Sequence, residues 1–463
     1  MAAWRIVVDY SLKGCYYAGV NEQRQAWRLR LWNGIRRSIL WLRPGLGVKR
    51  WLGLVLAGIT LLGVGLAIFL LDIYRTAPDT WWLPILSYAS LRFLARPLRV
   101  LIFGGLGIGL IALGIWGINR ATLRPFLRPG KHVVDQLAQY RRRERGPRVV
   151  AIGGGHGLST LLRGMKEHTH NLTAIVTVAD DGGSSGELRR VMGILPPGDM
   201  RTCLAALSND EALLTQLFQY RFSGAAGLNG HSFGNLFITA LSDITGSFEE
   251  AVAESGRVLS VHGRVLPSTL HNVKLVADVQ LPHNVQEVRV EGESRIPEIA
   301  GRVRRVWLEP NNAPAFPPVV QAILAADILV VGPGSLYTSI LPNLLVPDLM
   351  SAIRASRAIK VFVCNIATQP GETEAYTCYD HVRALEEHVG EDLFDLIVCN
   401  NCLEGDLGKK ARWVKVDEKA QSDTRIYCAD LVDHEHPWHH EAAKLAQTLM
   451  DLYAERTGPL AGE

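Results

Sequence analysis

Cysteine is sparse. Seven occur in 463 residues, an odd number with no dense framework. That excludes a small disulfide-stapled scaffold and fits a reduced compartment. Cys399 and Cys402 form one C-x-x-C. With no second pair and no histidine set beside it, zinc is not indicated, and both read as small buried apolar side chains. Strong charge of one sign is also missing: 49 Lys and Arg stand against 45 Asp and Glu, a net charge of +4. No helix-turn-helix or RNA-binding signature accompanies that mild excess, so no nucleic-acid partner is expected. The chain has no H-E-x-x-H and no Ser-His-Asp order. A lone histidine such as His262 or His381 reads as structural.

What is present is unevenly distributed. Arginine and tryptophan crowd the first 150 residues, and the acids lie mostly after them. Residues 51–71 (WLGLVLAGITLLGVGLAIFLL) and 100–118 (VLIFGGLGIGLIALGIWGI) carry no charge. At a rise of ~1.5 Å per residue, each run is long enough for a ~30 Å hydrocarbon core. Basic residues flank the pair. The expectation is a transmembrane hairpin in a bacterial inner (plasma) membrane, with both termini and the following domain cytoplasmic. The divisions expected are a basic cytoplasmic segment over 1–48, two transmembrane helices over 49–120, a basic linker over 121–147, a nucleotide-binding domain over 148–455 and a tail over 456–463.

From Arg148 the pattern is that of an α/β protein. Short β-branched runs at Val149–Ile152, Ala174–Ala179, Ile328–Val331 and Val361–Cys364 alternate with helical patterns. This predicts a Rossmann-like, mostly parallel sheet with helices on both faces. Ligands in such sheets sit beyond the carboxyl ends of the strands, where strand order reverses.

The first strand ends in GGGHGLSTLLRG. Gly153, Gly154, Gly155 and Gly157 leave the backbone free to approach an anion at the start of a helix, with His156 among them. A tight turn without a ligand is the plainer alternative. No Lys-Ser/Thr pair follows, so this is not a Walker A loop. Counted from Gly153, the third position of G-x-G-x-x-G is Leu158, and from Gly155 it is Thr160, so NAD is not specified.

The second cluster is ADDGGSSGELRR. Asp180 and Asp181 are candidates for holding Mg²⁺, bonding a ribose or base, or acting as a general base. Gly182, Gly183, Ser184 and Ser185 follow; the plain alternative is an Asx turn capping the next helix. Asp199 and Arg201 project from the turn Pro197-Gly198, where the guanidinium suits phosphate oxygens. His231, Ser232 and Asn235 precede an apolar helix. Gly332, Gly334 and Ser335 follow another strand, and Asn365, Thr368 and Gln369 are neutral groups suited to a base or sugar.

Taken in order, GGGHGLSTLLRG, VTVADDGGSSGELR, GDMR, GHSFGNLF, LSDITGSFEEA, LPST, GPGSLYTSILPNLLV, CNIATQPGETE and DHVRAL resemble the YvcK-like gluconeogenesis factors. These belong to the wider CofD-like (2-phospho-L-lactate transferase) superfamily, and the likeness runs from about Arg148 to about residue 455. It implies a Rossmann-like fold with a nucleotide-type ligand between strand ends. CofD enzymes transfer a phospholactyl group from a guanosine-diphosphate-linked donor to a deazaflavin alcohol with Mg²⁺. YvcK-like proteins look like non-catalytic relatives that bind UDP-sugars, notably UDP-N-acetylglucosamine, and are linked to cell-wall precursor supply, cell shape and gluconeogenic growth. ADDGGSSG and GPGSLYTSILPNLLV side with YvcK. The resemblance therefore implies a UDP-sugar sensor working through a regulatory protein partner, with transferase activity as the alternative. Mg²⁺ accompanying a nucleotide is the cofactor to consider, and a homo-oligomer is left open. Two departures stand out: His156 stands where threonine is common, and the two-helix extension is absent from the short soluble members.

Overall fold

The computed structural model describes residues 141–463, except 209–212, 225–226, 282–286, 409–410 and 459–463, and only scattered positions before 141. The chain divides into two compact units, 1–141 and 142–463. The second unit holds all the strands found among the described residues.

It begins with β1 (Val149–Gly153), α1 (Gly155–Met165), β2 (Leu172–Val176), α2 (Gly183–Met192) and α3 (Gly198–Leu207). Helices α4 (Leu213–Gln219), α5 (Phe233–Thr245) and α6 (Phe248–Val258) lead to β3 (Arg264–Pro267). Then come β4 (Lys274–Gln280), β5 (Glu287–Glu291), a 3-10 turn at Glu293–Glu298 and β6 (Arg302–Glu309). The chain returns through α7 (Pro317–Ala325), β7 (Ile328–Val331), a π-turn at Leu336–Ile340, α8 (Leu341–Leu344), α9 (Pro347–Ala355) and β8 (Ile359–Val363). It closes with α10 (Cys378–Val389), β9 (Leu396–Asn400), α11 (Glu418–Gln421), β10 (Ile426–Ala429) and α12 (Ala442–Thr457).

Seven parallel strands form one sheet in the order β10-β9-β8-β7-β1-β2-β3. The chain winds outward from β1 through β2 to β3, then restarts at β7 on the other side of β1. Strand order therefore reverses between β1 and β7, the place where sheets of this kind take their ligands. Every residue of β1, β2, β7 and β9 is buried. Strands covered on both faces in this way lose the polar alternation of an exposed sheet. A buried Val, Leu or Ile side chain contributes roughly 1.5–3 kcal/mol. The expected parallel α/β core is thus present. A second, antiparallel sheet of order β5-β4-β6 is inserted between β3 and β7.

Helix ends are set locally. Ser232 and Ser247 cap α5 and α6 by accepting the N–H of Asn235 and Glu250. Thr377 and Asp380 form a capping box at α10. Helix α1 packs on α3 and α12. Its Gly164 lies so close to the Ala442 carbonyl that a Cβ there would overlap it.

Two expectations need correction. The two transmembrane helices placed at 49–120 fall largely outside the described residues. Among the described residues, no single helix is long and apolar enough to cross a membrane. The bent pair Leu336–Leu344 and Pro347–Ala355, angled at 75°, owes its apolar character to the core, where Leu336, Ile340, Leu341, Leu344, Leu349 and Ile353 are buried. The inner-membrane location is withdrawn on that finding. The cysteines also differ from their sequence reading: Cys399 is bonded to Cys378. Cys402 remains a free thiol.

Candidate functional site

Two glycine turns meet at the reversal. After β1, Gly154 is extended and Gly155 is left-handed at φ +61°. A Cβ on Gly154 would come within 2.5 Å of Asp199 Oδ2. One on Gly157 would come within 2.5 Å of the Pro333 carbonyl and 2.9 Å of the Gly334 nitrogen. The β1 loop therefore rests directly on the turn after β7, an approach no larger residue permits.

The second turn is braced from β8. Asn365 Nδ2 donates to the Gly334 carbonyl at 2.8 Å, and its Oδ1 accepts the Gly334 N–H at 3.2 Å. Gln369 Nε2 donates to Ser335 Oγ at 2.6 Å. Asn343 Nδ2 donates to the Gly153 carbonyl at 2.9 Å, tying α8 to the end of β1. The glycine loop, the GPGS turn and the segment after β8 are thus one assembly. Gly332 enters its turn at φ +81°.

The aspartate cluster joins it from β2. Thr177 Oγ1 accepts the Ala179 N–H at 3.2 Å and turns the chain out of the strand. Asp180 Oδ1 accepts the Gly182 N–H at 2.9 Å, which is the Asx turn weighed from the sequence. Asp181 Oδ1 accepts the Ser294 N–H at 2.9 Å, so this carboxylate fastens the antiparallel lobe to the core. Gly182 lies near Ser294, and Gly198 packs on Ser185 and Asp180. Gly183 opens α2 in the left-handed region at φ +45°.

Behind this mouth runs a buried relay. Asn235 Nδ2 donates to Ser184 Oγ at 3.1 Å, and Ser184 Oγ lies 2.9 Å from His231 Nδ1. Arg201 Nε donates to Asn235 Oδ1 at 2.9 Å. The GHSFGN segment therefore braces Ser184 and aims Arg201. Ser232, fully buried, is used in capping α5. Thr368 is also used internally, accepting the Arg412 N–H at 3.0 Å. His156 is exposed, and its side chain takes no hydrogen-bond partner among the described residues.

Electrostatically the crevice is acidic. Burial, then the neighbouring Asp180, pushes Asp199 up to about 7, against the pull of the Gly155 N–H. Burial also raises Asp180. Two acids outside the sequence candidates join them. Burial and the charges of Asp180 and Asp199 push Glu293 up to about 8. Burial pushes Glu372 up to about 7. Glu372 Oε1 accepts from Thr338 Oγ1 at 3.1 Å, while its buried Oε2 has no hydrogen-bond partner. Glu293 escaped the sequence reading because β5, whose end it follows after Gly292, was itself not recognised as a strand. Glu372 lay inside the quoted CNIATQPGETE and was distinguishable there as the acid of Pro-Gly-Glu. The donors are all oxygen, the class a hard divalent cation such as Mg²⁺ takes, but no three of these carboxylates lie within 4.8 Å of one another, so they do not form a closed metal site as placed.

The comparisons with known proteins show the family of the chain. Residues 149–432 match the family described as 2-phospho-L-lactate transferase CofD. A Nostoc sp. protein bearing the gluconeogenesis-factor name is 49% identical over 385 residues, 82% of each chain. The gluconeogenesis factor of Bacillus subtilis is 49% identical over 255 residues, 55% of this chain and 79% of its own. A crystal structure of a Bacillus halodurans protein superposes with a TM-score of 0.62 at 42% identity, covering 66% of this chain and 99% of that one. The name these relatives carry lends nothing to the membrane location withdrawn above. With the CofD match spanning the whole α/β core and relatives this similar over most of both chains, the chain belongs to the CofD-like family and stands among its gluconeogenesis factors.

Proposed function

We propose that the chain binds a nucleotide-diphosphate sugar, UDP-N-acetylglucosamine first, in the crevice between β1 and β7. Through a protein partner it regulates cell-wall precursor synthesis, cell shape and growth on gluconeogenic carbon. The observation that carries this reading is the contact of two glycine turns from the two halves of the sheet, Gly157 against Pro333 and Gly334. Backbone N–H groups from two such turns suit a diphosphate. Asn365 and Gln369 brace the second turn through their amides, and the capacity left on them is proposed to meet a base or sugar. The gluconeogenesis-factor name of the relatives supports the metabolic side.

A diphosphate beside Asp180, Asp181, Asp199 and Glu293 meets increasing like charge as the last two lose their protons near pH 7 and 8. A divalent cation held by these carboxylates would neutralise it, so binding is proposed to require Mg²⁺. The second reading is a CofD-like transferase that moves a phosphoryl-linked group from a nucleotide-diphosphate donor to an alcohol. It is favoured by Asp199, which titrates near 7 and so lies in the range of a general base.

Titration of the full chain with UDP- and GDP-sugars in Mg²⁺, followed by analysis of the nucleotide with an alcohol panel, separates the two. Saturable binding with the donor intact supports the sensor. Release of free nucleotide with transfer to an alcohol supports the enzyme. No binding at millimolar ligand overturns both.

A further inference from the structure

Cys364 directly follows β8, Cys378 opens α10 and Cys399 lies in β9. Their sulfurs all lie within 4.8 Å of one another, and all three residues are buried. The fold explains the convergence. Val363 is in register with Val398, and the Cys364 N–H donates to the Val398 carbonyl at 2.9 Å, so Cys364 sits beside Cys399 across the sheet. The Thr377–Asp380 capping box fixes where α10 begins and so places Cys378 in its first turn. In the structure Cys378 and Cys399 share a disulfide, with Cys364 a free thiol against it.

We propose that, once this disulfide is reduced, the three sulfurs form a closed site for a soft monovalent cation, copper(I). The ligand chemistry selects the ion. Among the described residues the cluster offers three sulfurs with no oxygen or nitrogen ligand. Thiolates favour copper(I) over hard cations, and structural zinc takes four ligands. Cys428 on β10 pairs in register with Cys399 and is exposed at the sheet edge.

The chemistry balances in two steps. A dithiol reductant supplies two electrons and two protons, turning the S–S bond into two thiols and itself becoming a cyclic disulfide. Copper(I) then displaces the thiol protons to solvent without changing its own oxidation state. Cys364 is followed directly by Asn365, which grips Gly334. Occupancy of the site thus has a one-residue covalent path to the GPGS turn.

The test uses the full chain, reduced with a dithiol, freed of it under anaerobic conditions, and titrated with copper(I) against a chromophoric chelator. The result expected is one ion retained per chain, a thiolate-to-copper absorption in the ultraviolet and an X-ray absorption spectrum showing sulfur neighbours alone. Cys364→Ala loses stoichiometric retention, whereas Cys402→Ser, which breaks the C-x-x-C but not the cluster, keeps it. Four results overturn the proposal: no retention by folded, reduced wild-type chain, nitrogen or oxygen neighbours to the metal, displacement of the copper by zinc, or a disulfide that resists the dithiol. Because the spectrum is taken on the wild-type chain, a variant that fails to fold does not shield the proposal.

Discussion

Glu293, Asp199 and Glu372 hold their protons to about 8, 7 and 7. Each has a folded-state pKa above its unfolded value near 4. The stability they contribute is fully present below that value and is lost as pH rises through 7 to 8. His440 acts in the opposite sense: burial pushes it down to about 4, so its cost grows as pH falls below 6.5. The melting temperature of the ligand-free protein is therefore expected to fall between pH 6 and pH 8.5. Glu293→Gln should flatten that decline, and Mg²⁺ should raise the melting temperature more at pH 8.5 than at pH 6; thermal scans across pH read both. Asp181→Ala removes the acceptor of the Ser294 N–H. By loosening the inserted lobe it is expected to weaken nucleotide-sugar binding by about 1 kcal/mol, the scale of one lost hydrogen bond, as read by calorimetric titration. Asp180 and Asp181 were legible because they crowd glycines at a strand end, and Asp199 because it follows the turn Pro197-Gly198. Glu293 was not, since its place depends on how the inserted lobe folds back onto Asp181.

Gly157 and Gly164 show what single helix positions decide. Gly157→Ala would press a methyl against the Pro333 carbonyl and part the two turns. A loss of binding of at least about 1.4 kcal/mol, tenfold in affinity, is expected in the same titration. Gly164→Val would drive α12 off α1 at Ala442 and Ala446. Overpacking of this kind costs about 1–3 kcal/mol, which denaturant unfolding will register while Gly153–Gly157 stay in place. The strands that carry the turns were readable: β1, β7 and β8 are β-branched and end in glycine or asparagine. The second run was placed two to three residues late because Thr177 bonds its own backbone at Ala179 and ends β2 at Val176. The alternating strands β4, β5 and β6 were missed. Strand β5 is largely exposed, β6 is exposed in part, and β4 sets Lys274, Asp278 and Gln280 among its buried residues, so none carries the continuous apolar signature of the core strands.

At the scale of the whole molecule, strand order places the function. Winding out from β1 twice, in opposite directions, brings residues 153–157, 180–201 and 332–335 to one crevice although they are far apart in the chain. The order of the glycine motifs was enough to point to the CofD-like family. The strand order itself was not readable, because it depends on which neighbours pair across hundreds of residues. The two apolar runs before residue 120 were persuasive by length and led to a membrane location that the described helices do not support. The central claim is that the β1/β7 crevice receives a nucleotide-diphosphate sugar with a divalent cation. Isothermal titration of the full chain with UDP-N-acetylglucosamine, with and without Mg²⁺, tests it most directly. The account predicts saturable binding with Mg²⁺ that is weakened by Gly157→Ala and Asp181→Ala. No heat of binding at millimolar ligand, or binding indifferent to both substitutions, would contradict it.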